Sequence, residues 1–257
     1  MAAQVLLDKR DGVATVTLNR PAQRNALTPA MADEMLAAFR EIDADGSIGA
    51  AVIQGAGGHF CAGADLGEAA RMFADPLDAQ VYDGTSRIYE SFVQAGHLAV
   101  PVVAAVRGAA VGAGMNLLLA ADLRVVAREA RLLSGFLRLG VHPGGGHMML
   151  LAEAAGPQAA AAMALFGEEI DGMTAQSIGL AWAALPDGEV EAHAQELARR
   201  AARDPELARA AVRTLRSTAS AKEAQWARAL QAERAVQLWS MHRAGRRLGA
   251  PRVPRKD

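Results

Sequence analysis

The amino-acid sequence predicts an α/β fold, and three observations carry that expectation. Short apolar runs rich in valine and alanine end at stretches of small residues. Those stretches open segments whose apolar residues recur at helical spacing. The rhythm of strand, small-residue loop and helix returns along the chain without any sequence repeat of fixed period.

The elements follow in order. Gln4–Leu7 reads as a strand, Asp11-Gly12 as a two-residue turn, and Val13–Leu18, which alternates Val, Thr and Leu, as the partner strand. Pro21 ends the pair. Thr28 and Pro29 then mark a helix start, since threonine accepts from first-turn N–H groups and proline suits the first helical position. Met31, Met35, Leu36, Phe39 and Ile42 supply its apolar face. Ala50–Ile53 is a buried strand, followed by a glycine-rich loop from Gly55 to Gly67. A polar stretch, Arg71–Asp83, leads into a helix over Gly84–Gly96. Strand Val100–Val106, the loop Gly108–Gly114, a short apolar helix Met115–Ala120 and strand Leu123–Ala127 come next. A further glycine loop, Pro143–Gly146, opens a helix near His147.

From Glu189 the chain is helical in character, with Asp204-Pro205 as a start signal. The last residues, 245–257, lose periodicity and carry five basic side chains, so a mobile tail is expected, with phosphate contact as the role its charge suggests. The chain thus divides into a core, residues 1–188, and a C-terminal helical region, residues 189–257.

Composition bounds the function. At 257 residues and 51% apolar the chain can bury a large core, but with 4% aromatic residues that core must be mostly Ala, Val, Leu and Met. A net charge of −1 lacks the basic field of a nucleic-acid binder. The one cysteine, Cys61, excludes an intrachain disulfide and a multi-cysteine metal site, and is expected to pack as a small apolar residue. The N-terminal segment meets charge at once, and no stretch reaches the roughly 18 apolar residues of a membrane span. A cytoplasmic protein without membrane or nucleic-acid partners is therefore expected.

Two loops carry candidate chemistry. In Gly57–Leu66, the small residues Ala62-Gly63-Ala64 let a ligand approach the backbone, although this loop taken alone reads first as a tight turn. Gly108–Met115 follows a strand and enters a helix, whose first N–H groups point outward where the dipole favours negative charge. One N–H from each loop, placed on one carbonyl oxygen, would stabilise the oxyanion of an enolate or tetrahedral intermediate.

Asn19-Arg20-Pro21, Asn25-Ala26-Leu27, His59–Leu66, Pro101–Val106, Gly108–Gly114, Ala121–Arg124, Leu139-Gly140 and Pro143–Gly146, in this order and spacing, resemble landmarks of the enoyl-CoA hydratase/isomerase (crotonase) family over roughly residues 4–185. The resemblance implies a spiral of β-β-α units with C-terminal helices for oligomerisation into a homotrimer or hexamer. It implies an acyl-CoA substrate and no cofactor or metal beyond the CoA carried by that substrate. Carried onto this chain, the oxyanion donors are the backbone N–H groups of Ala64 and Ala113. The adenine and pantetheine contacts fall on Ala62, Asp65 and Leu66. Arg24 stands where the family often places a cation for the CoA phosphates, a solvated loop arginine being the plainer alternative.

The resemblance also marks a departure. Where the family's hydratases carry two glutamates, this chain has Asn116 and Phe136, and neither accepts a proton as a base at neutral pH. Each general acid–base group contributes roughly 10²–10⁴-fold, so efficient hydration is not expected. His142 is the candidate replacement base, and Asn116 can orient a carbonyl or water through its amide. His147 flanks a helix start, while Glu68, Asp83 and Tyr89 lie in the segment that roofs the acyl site in this family. Three functions stay open: an acyl-CoA enzyme with non-standard catalytic side chains, a non-catalytic acyl-CoA-binding protein, and an ordinary enoyl-CoA hydratase.

Overall fold

The structure is a computed structural model that describes residues 3–218 and 220–247. β1 (Val5–Arg10) and β2 (Val13–Leu18) form a hairpin, and Asp11 and Gly12 both take positive φ, 53° and 75°, as a two-residue turn requires. After them come α1 (Pro29–Ala44), β3 (Ala50–Gly55), α2 (Leu66–Ala74), α3 (Ala79–His97), β4 (Val102–Val106) and β5 (Ala109–Val111). Then follow α4 (Ala113–Ala120), β6 (Leu123–Ala127), β7 (Arg131–Leu133), α5 (His147–Ala164), β8 (Glu169–Ile170), α6 (Gly172–Ser177) and β9 (Ala183–Leu185). Three helices end the described residues: α7 (Val190–Ala201), α8 (Pro205–Thr218) and α9 (Ser220–Arg247).

Among the described residues the strands form two sheets. The larger runs β1-β2-β3-β4-β6-β9, antiparallel only in the hairpin and parallel thereafter. The smaller runs β5-β7-β8, with β5 and β7 parallel. Every residue of β4 is buried, as a central parallel strand covered on both faces should be. On α1 the Thr28 hydroxyl accepts the Met31 N–H at 3.1 Å, and Met31, Met35, Leu36, Phe39 and Ile42 are all buried. Each such side chain contributes about 1.5–3 kcal/mol through removal from water.

Several sequence expectations need correction. β1 runs to Arg10, not Leu7, because the turn zips Asp8, Lys9 and Arg10 against β2 on an exposed edge where polar side chains are tolerated. α2 begins inside the stretch read as a glycine-rich loop, and α3 begins inside the polar stretch, ahead of Gly84. Aspartates start them: the Asp65 carboxylate accepts the Gly67 N–H at 2.9 Å, and that of Asp78 accepts those of Gln80 and Val81 at 3.0 and 3.1 Å. Gly84 lies within α3, where a Cβ would come 2.8 Å from the Pro29 ring, so it serves the α1–α3 contact. β4 begins at Val102, and the two- and three-residue strands β5, β7, β8 and β9 gave no periodic signal.

α9 folds back onto α2 and α5 of its own chain. Where it crosses α2, Met241 and Ala244 pack with Met72 in a small second cluster that includes Val141 and borders Phe136. Residues 248–257 of the tail expected to be mobile lie outside the described residues. Among the described residues no helix is long and apolar enough to cross a membrane.

Asn25 holds the turn before α1. It is fully buried with φ 56°, accepts the Arg20 N–H at 2.9 Å, and donates to the carbonyls of Ala56 at 2.9 Å and His59 at 2.7 Å. Asn25→Ala strands these three groups and is expected to cost about 2–4 kcal/mol in urea unfolding. A loss under about 1 kcal/mol would show that water replaces the amide.

Candidate active site

The two small-residue loops lie side by side. The Cys61 N–H donates to Ala109 and the Val111 N–H donates to Cys61, each at 3.0 Å, so Cys61 and Ala110 form a parallel bridge. That register sets Ala62, Gly63 and Ala64 beside Val111, Gly112 and Ala113. The approach is close: at Gly63, with φ 96°, a Cβ would lie 2.7 Å from the Val111 oxygen and 3.7 Å from the Ala113 nitrogen. Cys61 itself is buried and apolar in its surroundings, which pushes its thiol up to about 12.

On the other side, the Leu27 N–H donates to Gly63 and the Asp65 N–H donates to Leu27, at 2.7 and 2.9 Å. Ala64, which faces Leu27 in that bridge, therefore has its own N–H turned away from it. Ala113 is the first residue of α4, so its N–H is one that no helical carbonyl accepts. Both alanines line one cavity of ≈ 160 Å³. Two such donors at one cavity suit a carbonyl oxygen that gains negative charge.

The cavity is mostly apolar, with Ala69, Met72, Ile88, Val111 and Phe136 among its walls. Gln237 and Met241 reach it from α9, and Met72 and Phe73 from α2, so these two helices roof it. The Tyr89 hydroxyl donates to the Gln237 amide oxygen, and burial pushes the hydroxyl pKa up, so it stays protonated. A larger cavity of ≈ 400 Å³, near Asp122, Arg124 and Trp226, sits at the C-terminal end of α4, and neither loop reaches it.

Beneath the cavity lies a buried polar chain. Asn116 donates from its amide nitrogen to the Gly144 carbonyl at 2.6 Å, and its oxygen lies 2.6 Å from Nδ1 of His147. Nε2 of His147 is 2.8 Å from the Ser134 hydroxyl. Asn116 and Ser134 both line the cavity, and Phe136 sets its ring edge-on to His147 with centroids 4.9 Å apart. The Glu233 carboxylate caps α5 from α9, accepting the N–H groups of Gly146, His147 and Met148 at 2.7, 3.1 and 3.0 Å. Burial pushes that carboxyl up, and the three N–H bonds work against the rise.

The residues singled out from sequence scatter differently. Ala62, Ala64, Ala113, Asn116 and Phe136 converge on the cavity. Asp65 ion-pairs with Arg20 at 3.1 Å besides capping α2; burial raises its carboxyl, but the Arg20 and Gly67 hydrogen bonds outweigh that and hold it below its usual value. Leu66 opens α2, and its side chain lies outside the described residues. Arg24 is exposed on a left-handed turn, and its carbonyl accepts the Ala62 N–H at 3.0 Å, which ties it to the first loop.

His142 does not reach the cavity wall. Its Nδ1 lies 2.6 Å from the adjacent Pro143 carbonyl and its backbone N–H donates to Ser240, so the turn geometry turns the ring aside. Glu68 and Asp83 also stay off the wall, while Tyr89 is on it. Sequence reasoning missed Ser134, Gln237 and Glu233. The one signal was an α5 start at Gly146 with no capping side chain of its own, which requires a cap from elsewhere.

Burial pushes the His147 imidazole down to about 3. Below about pH 6.5 the unfolded chain protonates this ring while the folded chain does not, so stability falls with pH through that window. Between pH 7 and pH 5 the wild type is expected to lose about 2 kcal/mol more than His147→Gln in urea unfolding. Equal losses would contradict a buried neutral ring.

Comparison with known proteins agrees with this architecture. The sequence model of the enoyl-CoA hydratase/isomerase family matches residues 8–250. A Mycobacterium tuberculosis protein described as a "probable enoyl-CoA hydratase" is 41% identical over 216 residues, 84% of this chain and 82% of that one. The 1,2-epoxyphenylacetyl-CoA isomerase of Escherichia coli is 34% identical over 204 residues, 78% of this chain and 77% of its own. The crystal structure of an enoyl-CoA hydratase from Mycobacterium avium subsp. paratuberculosis superposes with a TM-score of 0.81 at 28% identity, covering 95% of this chain and 98% of that one. The chain belongs to the enoyl-CoA hydratase/isomerase family.

Proposed function

We propose that this chain is an acyl-CoA-processing enzyme that polarises the thioester carbonyl between the backbone N–H groups of Ala64 and Ala113, without the paired glutamates of the hydratases. The observation that carries this reading is the parallel register of Cys61 with Ala110, which brings Ala64 beside Ala113 at one cavity. The CoA arm passes Ala62, Asp65 and Leu66, and Arg24 offers a cation to its phosphates from an exposed turn bonded to Ala62. CoA enters as part of the substrate, so no separate cofactor is required, and a homotrimer or hexamer is the proposed assembly.

Asn116 and Phe136 occupy the two glutamate positions. The Asn116 amide is committed to Gly144 and His147, and Phe136 adds apolar bulk where a water would sit. Among the described residues that wall carries no carboxylate to take a proton from a hydrating water. The supported chemistry is therefore one that begins by polarising the carbonyl: decarboxylation, C–C cleavage, isomerisation or thioester hydrolysis.

Ala113→Pro tests the donor, because proline is tolerated at a first helical position but carries no N–H. Turnover is expected to fall ~10²–10³-fold, with CoA affinity changing far less. Crotonyl-CoA hydration is expected at least ~10²-fold below that of a two-glutamate hydratase. Fast hydration that persists in Asn116→Ala would contradict the reading.

A further inference from the structure

The chain of hydrogen bonds under the cavity has a direction that can be read from donors and acceptors alone. The Gly144 carbonyl can only accept, so the group of Asn116 that faces it is the NH₂. The Asn116 oxygen therefore faces His147, and Nδ1 must carry the ring proton to donate to it. With the proton on Nδ1, Nε2 bears a lone pair, and the Ser134 hydroxyl donates to it. The result is a hydroxyl bonded to the accepting nitrogen of an imidazole whose other nitrogen is held by an oriented carbonyl oxygen. Nucleophile, base and orienter stand in the relationship that activates a serine.

The position fits as well as the connectivity. Val111 pairs with Leu133, and the Gly112 N–H donates to the Leu133 carbonyl at 2.9 Å, so Ser134 follows the strand that borders the second loop. Ser134, Gly112 and Ala113 line the same cavity. Among the described residues no other polar side chain on that wall has this arrangement: Tyr89 donates to the Gln237 amide oxygen, Thr85 donates to the Val81 carbonyl, and Asn116 is spent on His147 and Gly144.

We propose that Ser134 is a nucleophile that cleaves acyl-CoA thioesters through an acyl-serine intermediate, with His147 as its base and Asn116 as the positioning residue. This rests on the reading that the Ala64 and Ala113 N–H groups hold the thioester carbonyl. Ser134 Oγ bonds to the carbonyl carbon while its proton passes to Nε2 of His147, and the carbonyl π pair moves onto the oxygen between the two N–H groups. That oxyanion supplies the negative charge that offsets the imidazolium in a buried site. Collapse breaks the C–S bond, and the CoA sulfur leaves with the proton from Nε2. Water then gives a proton to Nε2 as its oxygen bonds to the acyl carbon, and Ser134 leaves with that proton. The sum is thioester plus water to carboxylic acid plus CoA thiol, with nothing oxidised or reduced. The apolar walls of the cavity, among them Ala69, Met72, Ile88 and Val111, suit an acyl chain without charge.

The test uses the full-length chain with butyryl-CoA. Thiol release is followed with a chromogenic disulfide, acid-quenched reactions are digested for peptide mass spectrometry, and CoA binding is measured separately by calorimetry. We expect a butyryl adduct on Ser134, thiol release reduced ~10³-fold or more in Ser134→Ala, and CoA affinity kept within a few-fold. Asn116→Ala lowers kcat with little change in KM and slows formation of the adduct. Intact CoA binding with no adduct and no thiol release in the wild type overturns the proposal, as does hydrolysis undiminished in Ser134→Ala. Absence of CoA binding by the wild type instead overturns the underlying reading of the carbonyl site, and the proposal falls with it. The adduct is sought in the unsubstituted chain, so the outcome does not depend on the variants folding.

Discussion

Two loops from different strand–helix units run together because Cys61 exchanges backbone hydrogen bonds with Ala109 and Val111, and much of the site depends on that pairing. It becomes possible because β3 and β4 are parallel neighbours, so their carboxyl ends release both loops at the same edge of the sheet. Small side chains are a condition of it. At Gly114 a Cβ would run into the Cys61 carbonyl, and at Gly63 into that of Val111. Glycines at 63 and 114 therefore follow from the packing of two backbones, and the neighbouring Ala64 and Ala113 both line the cavity.

The rest of the chain closes the site from outside. α9 crosses α2 closely enough that Gly245 admits no side chain against Phe73, and it delivers Gln237 and Met241 to the cavity and Glu233 to the start of α5. A buried carboxylate is costly in the absence of donors, and three N–H groups at a helix start offset that cost. Docking of the C-terminal helix and the start of α5, where His147 stands, are thus linked through one residue.

Much of this was legible in the sequence. Thr28-Pro29, the Asp11-Gly12 turn and the valine-rich strands gave the frame, because caps, turns and burial act within a few residues. The landmarks from Asn25 to Gly146 brought Ala64, Ala113, Asn116 and Phe136 to one place. What escaped was set by distance along the chain. Ser134 sits in Leu133-Ser134-Gly135, where no spacing marks it, and only the fold brings His147 to it. Gln237 and Glu233 lie on a helix whose pattern gives no hint of the loop it caps. His142 looked apt by residue type, but its ring bonds the next carbonyl, a local preference that outweighs its proximity to the pocket.

The central claim is that two backbone N–H groups polarise a thioester carbonyl. Infrared difference spectroscopy of ¹³C=O-labelled acetoacetyl-CoA bound to the protein measures this directly, because hydrogen bonding to the carbonyl oxygen weakens the C=O bond and lowers its stretching frequency. The account predicts a thioester band shifted to lower frequency than in water, with the shift largely lost in Ala113→Pro. A bound thioester whose band stays at its aqueous frequency in the wild type would contradict it.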